Sequence, residues 1–88
     1  MIRNHVLISG RVQGVCFRDA CRRLALQHGV SGWVRNLPDG RVEAILEGPP
    51  DGVHRLVEWA HQGPAAATVT GVAVREERPE GLGGFVIR

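Results

Sequence analysis

The segment from Gly10 to Arg18, GRVQGVCFR, places two glycines and two arginines around a short apolar run. A glycine at Gly14 lets the backbone take a positive φ and turn consecutive N–H groups inward, into a concave nest of donors. The guanidinium of Arg18 adds a planar fork of donors with a permanent charge, which suits bidentate contact with phosphate. The spacing therefore indicates a small phosphoryl cradle, although it also fits a tight turn before a solvated helix.

Two other phosphate motifs fit this segment less well. A Walker A loop requires Gly-Lys-Ser/Thr after its glycines, and no such triplet follows Gly14. Cys16 and Arg22 have the Cys-x5-Arg spacing of cysteine-dependent phosphatases, in which a thiolate attacks phosphorus. The residues between them contain no glycine and would have to curl around the ligand while forming the first turn of a helix. We therefore favour a cradle without a thiolate nucleophile and keep the thiolate mechanism as an alternative.

Length and composition limit the classes of protein that these residues can serve. We expect one domain, residues 1–88, that buries about 60 to 65% of the surface of its unfolded chain. The 11 basic and 9 acidic residues form no Lys/Arg block, so neither nucleic acid nor a membrane surface is an expected partner. No long apolar run suggests a membrane span or an export signal. We therefore expect a cytoplasmic location by default. Cys16 and Cys21 form no CxxC pair, which indicates reduced thiols.

Hydrophobic periodicity predicts the elements that must position the cradle. Helix-like spacing of apolar residues predicts a first helix at roughly Asp19–His28, and a second that opens at Pro49–Asp51 and is closed by Gly63–Pro64. Period-two patterns bounded by Gly, Pro and Asp predict strands between and around these helices. The predicted strands are Asn4–Val12, Val30–Asn36, Arg41–Gly48, Thr68–Arg75 and Gly84–Arg88.

The order strand, helix, strand, strand, helix, strand predicts an α+β fold, the split βαβ or ferredoxin-like sandwich. We expect an antiparallel sheet of four to five strands with two helices on one face, extended by the short last strand. Glu43, Ile45 and Glu47 alternate with apolar neighbours, which predicts a mainly acidic, partly solvated face. The topology puts the cradle where the first strand meets the first helix, and unpaired N–H groups and the helix dipole attract an anion there.

Four blocks make the chain resemble the acylphosphatase family: GRVQGVCFR, GWVRNLPDGRVE, EGPP and the ending GFVIR. The resemblance spans nearly the whole chain and implies hydrolysis of acyl phosphates to a carboxylate and inorganic phosphate, without a metal or cofactor. It further implies that Arg18 binds phosphate and that Asn36 orients the attacking water. The loop amides that complete the substrate site belong to Gln13, Gly14, Val15, Cys16 and Phe17.

Some residues of these blocks also have simpler interpretations or depart from the family pattern. Asn36 precedes Leu-Pro-Asp-Gly, where an asparagine side chain commonly bonds its own backbone in a turn. Cys16 stands where many bacterial members of the family carry glycine. The carboxylate of Asp19 could pair with Arg18 and reduce the field that Arg18 offers an anion.

A different class of function remains open, because ferredoxin-like domains also bind RNA and regulatory ligands. RNA-binding domains of this fold stack bases on aromatic residues of their central strands, whereas Arg41–Gly48 contains none and carries Glu43 and Glu47. A non-catalytic anion-binding or regulatory module is the stronger alternative. Because both Arg18 and Asn36 are present, we favour an enzyme that acts on a small-molecule acyl phosphate. We expect this enzyme to be a monomer.

Overall fold

Five strands and two helices follow one another in the order βαββαββ in a computed structural model that describes residues 1–88. The strands are β1 (Ile2–Arg11), β2 (Ser31–Asn36), β3 (Val42–Gly48), β4 (Thr68–Glu77) and β5 (Phe85–Ile87). The helices are α1 (Phe17–Gln27) and α2 (Pro50–Ala60). Helix α1 begins two residues before the predicted Asp19, because the left-handed backbone of Cys16 turns the chain directly into the helix. Arg18 therefore lies in the first helical turn.

The sheet has the strand order β4-β1-β3-β2-β5, which confirms the ferredoxin-like arrangement. Strands β1 to β4 pair only antiparallel, as predicted. Strand β5 pairs parallel to β2, so the five-stranded sheet is mixed. The reason is the path of the chain, since residues 78–84 cross from the β4 edge of the sheet to the opposite edge.

The two helices cover one face of the sheet and enclose a single core cluster of 16 buried residues. Alternate residues of β1 and β3, such as Val6, Ile8 and Val42, point into this core. The ring of Phe17, at the start of α1, packs against Trp59 of α2 with the ring centroids 4.9 Å apart. The core thereby fixes the junction of β1 and α1, where the sequence predicts the cradle.

The opposite sheet face differs from the prediction of a partly solvated acidic surface. The side chain of Glu47 is fully buried, and Ile45 is only 2% exposed. Residues 78–84 cross this face, and the backbone N–H groups of Glu80, Gly81 and Leu82 donate to the Glu47 carboxylate at 2.7, 2.8 and 2.6 Å. The prediction was wrong here because alternation within one strand does not reveal a distant segment that covers it.

The Glu47 carboxylate should make the stability of this crossing segment depend on pH. Burial by itself would raise the pKa of Glu47, but the three N–H donors and Arg3 outweigh burial and hold the pKa below its ordinary value. A carboxylate whose pKa is lowered by folding stabilises the protein above its unfolded pKa, about 4.3 for Glu. That stabilisation is lost as the pH falls through the lowered pKa of the folded state.

We expect Glu47→Gln to lower the free energy of unfolding by about 1 to 3 kcal/mol at neutral pH, because N–H donors lose their anionic partner. The difference from the parent chain should shrink as the pH falls from about 7 to about 3, because below the unfolded pKa of about 4.3 the stabilisation that comes from the lowered pKa is progressively lost. Urea unfolding at both pH values measures this difference in the free energy of unfolding. Glu58→Gln, a change at an exposed carboxylate of α2, is the matched control. An equal loss of stability at both pH values would contradict this role of the Glu47 charge.

Candidate active site

The loop between β1 and α1, residues 12–16, bends at the position that the sequence predicts. Gly14 has a φ of +73°, in the left-handed region that favours glycine. Cys16 has a φ of +64° and is the only non-glycine residue of the chain with a positive φ. A glycine would take this conformation without the strain that a side chain brings.

This loop leaves a continuous run of backbone donors free. None of the N–H groups from Gln13 to Asp19 donates a hydrogen bond to another group of the protein. A helix normally leaves only its first four N–H groups unpaired, so this run extends from the first turn of α1 back into the loop. The positive end of the α1 dipole lies at the same place. The loop is therefore electrostatically suited to an anion.

A cavity of about 350 Å³ opens at this loop. Its lining residues are Val12, Gly14, Cys16, Phe17, Arg18, Asp19 and Ile87. Arg18 and Asp19 form no ion pair, although they are neighbours in the sequence and their side chains could have paired. The guanidinium of Arg18 is thus available to an anion in the cavity.

A second cavity of about 340 Å³ lies between α1 and α2, with Leu24, Arg55 and Trp59 among its lining residues. It contains neither Arg18 nor Asn36, and it is lined only by residues of the two helices, His28 and Gln62. Size alone does not distinguish the two cavities. The free N–H groups and the unpaired guanidinium distinguish the loop cavity chemically.

Asn36 is the last residue of β2 and is level with Ile8 of β1 in the sheet. It pairs with Val42 on β3, and Val42 pairs with Ile8 on β1, so the three residues form one row across the sheet. Paired residues point to the same face, and Asn36 therefore faces the helix layer, as Ile8 and Val42 do. With strands spaced about 4.8 Å apart, Asn36 lies roughly 10 Å from Ile8. It is not among the residues that line the loop cavity.

The side-chain oxygen of Asn36 has an unusual environment. Asn36 Oδ1 is buried and accepts no hydrogen bond, the only buried side-chain polar atom of the chain in that state. The turn interpretation, in which the side chain bonds its own backbone, therefore does not hold. A buried acceptor that the protein's own groups leave free is suited to hold a water molecule or a ligand group.

The remaining predicted site residues divide into two groups. Gly14, Cys16 and Phe17 line the cavity together with Arg18. Gln13 and Val15 do not line the cavity. The Val15 side chain belongs to the core, and the Gln13 side chain donates to the backbone oxygens of the β2–β3 turn. Only the backbone N–H groups of Gln13 and Val15 are thus available for substrate.

Ile87 is a residue of the cavity that the sequence did not indicate. It pairs with Val34 of β2, and it reaches the cavity because β5 runs along the outer edge of β2. The side chain of Arg22 ties α1 to this strand, since its Nε donates to the carbonyl oxygen of Phe85 at 3.2 Å. No local pattern in the sequence predicts this parallel pairing.

The cysteines do not support the thiolate alternative. Cys21 is buried, and burial raises the pKa of its thiol to about 12, so it stays protonated near neutrality. Cys16 is exposed at the cavity, but Arg22, its partner in the Cys-x5-Arg spacing, bonds the carbonyl oxygen of Phe85 and does not line the cavity. The spacing therefore does not form a phosphate-binding loop.

We expect Cys16→Ser to retain hydrolysis, because the cradle needs the N–H group of Cys16 and not its sulfur. Cys16→Gly should also retain hydrolysis and raise the free energy of unfolding by up to about 1 kcal/mol, since a left-handed non-glycine residue costs about 1 to 2 kcal/mol. The entropy of glycine in the unfolded chain offsets part of that gain. Steady-state kinetics and urea unfolding measure both effects, with Cys16→Ala as the control for loss of the thiol. Abolished turnover in Cys16→Ser would restore the thiolate mechanism.

The fold and the loop together define a ferredoxin-like α+β domain with a run of free N–H groups and an unpaired guanidinium between β1 and α1. A family-wide sequence model described as Acylphosphatase matches residues 4–87. The chain belongs to the acylphosphatase family.

The sequences of known acylphosphatases align with this chain over nearly its whole length. An acylphosphatase from Gloeobacter violaceus is 57% identical over 86 residues, which cover 98% of this chain and 92% of that protein. One from Thermococcus kodakarensis is 58% identical over 86 residues, covering 98% and 94%. The crystal structure of acylphosphatase from Bacillus subtilis matches with a TM-score of 0.96 at 38% identity, covering 100% of this chain and 99% of that one.

These similarities confirm the activity that the sequence motifs implied. The protein is an enzyme that hydrolyses acyl phosphates to a carboxylate and inorganic phosphate. Neither α1 nor α2 has the length and apolar character that crossing a bilayer requires. No group of three or more His, Cys, Asp or Glu side chains is arranged to hold a metal ion.

Proposed function

We propose that the amides from Gln13 to Phe17 and the guanidinium of Arg18 hold the phosphoryl group of the acyl phosphate, and that Asn36 orients the attacking water. The observation that carries this proposal is the run of unpaired N–H groups from Gln13 to Asp19, beside the unpaired Arg18 in one cavity. Phosphoryl oxygens accept several hydrogen bonds, and those from a charged donor are about twice as strong as neutral ones. An anion in this cavity would satisfy donors that the protein leaves free.

The chemistry of the substrate suits such a site. Phosphoryl transfer requires that the phosphoryl oxygens be held and that the nucleophile be aligned, and both requirements are met by positioning and electrostatics. The bond between phosphorus and the acyl oxygen breaks as the bond from water to phosphorus forms, and the carboxylate leaves with the electron pair. A carboxylate is stable as an anion, so its departure needs no strong general acid.

Asn36 supplies orientation without acid or base chemistry. Its free Oδ1 can accept a hydrogen bond from water, but a carboxamide has no useful basicity. We therefore assign the water proton to a phosphoryl oxygen of the substrate. A non-catalytic anion-binding module would use the same cradle but would have no use for this free acceptor, and the acceptor therefore favours an enzyme over that alternative.

We further propose that residues 1–88 form one domain that suffices for this reaction as a monomer in the cytoplasm, without a metal or cofactor. One core cluster joins both helices to the sheet, which supports a single domain. Both cysteines are free, which fits a reducing compartment. In other phosphoryl-transfer enzymes metal ions neutralise charge, and Arg18 with the loop amides can provide that here.

Hydrolysis of benzoyl phosphate by the purified chain after treatment with a chelator tests these proposals. We expect undiminished turnover, competitive inhibition by inorganic phosphate, and a monomer mass in sedimentation. Activity that disappears with the chelator and returns with a divalent cation would contradict the metal-free mechanism.

A further inference from the structure

The side chain of Gln13 connects the phosphate loop to the turn between β2 and β3. Its Nε2 donates to the carbonyl oxygen of Leu37 at 2.8 Å and to that of Arg41 at 3.0 Å. These are the only hydrogen bonds between residues 12–16 and residues 36–41. One carboxamide therefore links the loop directly to the turn.

The turn that receives these bonds is itself well ordered by local contacts. The N–H of Leu37 donates to the carbonyl oxygen of Arg41 at 2.8 Å, and that of Gly40 donates to Leu37 at 3.1 Å. The carboxylate of Asp39 accepts from the backbone N–H of Arg41 at 3.1 Å and from its Nε at 2.8 Å. Gln13 thus bonds a closed turn and not a loose loop.

The position of this link matters because Asn36 directly precedes Leu37. The proposed cradle lies on the segment that joins β1 to α1, whereas Asn36 lies on β2, with β3 between β1 and β2 in the sheet. The link joins these two parts across 24 and 28 residues of sequence. Any change in the distance between loop and turn would change where a water bound to Asn36 stands relative to a bound phosphoryl group.

We propose that Gln13 is a positioning residue that aligns Asn36 with the phosphate cradle. The inference rests on the proposed roles of Arg18 and Asn36. In this arrangement the backbone N–H of Gln13 remains available to the substrate, while its side chain acts only through the turn. Since a misplacement of about 1 Å in a reacting group can lower a rate about 10²-fold, a modest shift of the turn is sufficient for a large effect.

The test replaces Gln13 by methionine, which has a similar length but no donor. We expect kcat for benzoyl phosphate to fall by about 10- to 100-fold, while the inhibition constant of inorganic phosphate changes little. Gln27→Met, at an exposed glutamine in the last turn of α1, is the matched control and should change neither quantity. If Gln13→Met does not fold, Gln13→Asn serves instead, because it keeps the amide but shortens its reach by one methylene.

A double-mutant cycle separates alignment from a general effect on the loop. In an Asn36→Ala background, Gln13→Met should have no further effect on kcat, because the group that it positions is already absent. An equal loss of kcat in both backgrounds, unchanged kcat in the single variant, or weaker phosphate inhibition would each overturn the inference. If Asn36→Ala itself keeps full turnover, the proposed role of Asn36 fails first, and the inference fails with it.

Discussion

Replacement of Arg18 by lysine is expected to lower kcat/KM for an acyl phosphate by about 10²-fold, although the positive charge is kept. The guanidinium presents a rigid fork of donors, while an ammonium is a point charge on a flexible stem and cannot contact two phosphoryl oxygens in one plane. Arg18→Ala removes the charge as well, and we expect a loss of about 10³-fold or more. Both variants should bind inorganic phosphate more weakly than the parent chain.

The matched control is Arg23→Lys, a change at an exposed arginine of the same helix that makes no ion pair. It should leave kinetics and phosphate inhibition unchanged. Steady-state kinetics with phosphate as a competitive inhibitor give both quantities from one set of assays. Parent-like kcat/KM in Arg18→Lys would mean that only the charge is used and that the fork geometry has no role.

Replacement of Asn36 by alanine should separate turnover from phosphate binding. We expect kcat to fall by about 10²- to 10³-fold, as when one oriented hydrogen-bonding group is removed from an active site. The inhibition constant of inorganic phosphate should stay close to that of the parent chain, because Asn36 does not line the cavity.

The stability of Asn36→Ala provides a second, independent readout. The variant removes a buried acceptor that makes no hydrogen bond within the protein, and it also loses some packing. We therefore expect the free energy of unfolding to stay unchanged or to rise by about 1 kcal/mol. A variant that is less stable and no longer inhibited by phosphate would show that Asn36 has a structural role in place of the proposed catalytic one.

Features that depend on neighbouring residues could be predicted from the sequence. The apolar periodicities gave both helices and all five strands to within a few residues. The glycine at position 14 allowed the positive φ of the loop to be predicted, because few other residues take that conformation without strain. The order of the elements then gave the fold and the junction where Arg18 lies.

Features that depend on distant segments could not be predicted in this way. Glu47 is buried because residues 78–84 cross the sheet, and Ile87 reaches the cavity because β5 pairs with β2. The bonds from Gln13 to Leu37 and Arg41 likewise require the loop and the turn to meet at one end of the sheet. Each of these contacts depends on tertiary arrangement, for which local periodicity carries no signal.

A crystal structure of the enzyme with inorganic phosphate is the most direct test of the central claim. The account predicts one phosphate in the loop cavity, with its oxygens accepting hydrogen bonds from N–H groups of the Gln13–Phe17 segment and from the guanidinium of Arg18. Phosphate bound elsewhere, or loop N–H groups that point away from the cavity when it is occupied, would contradict the account.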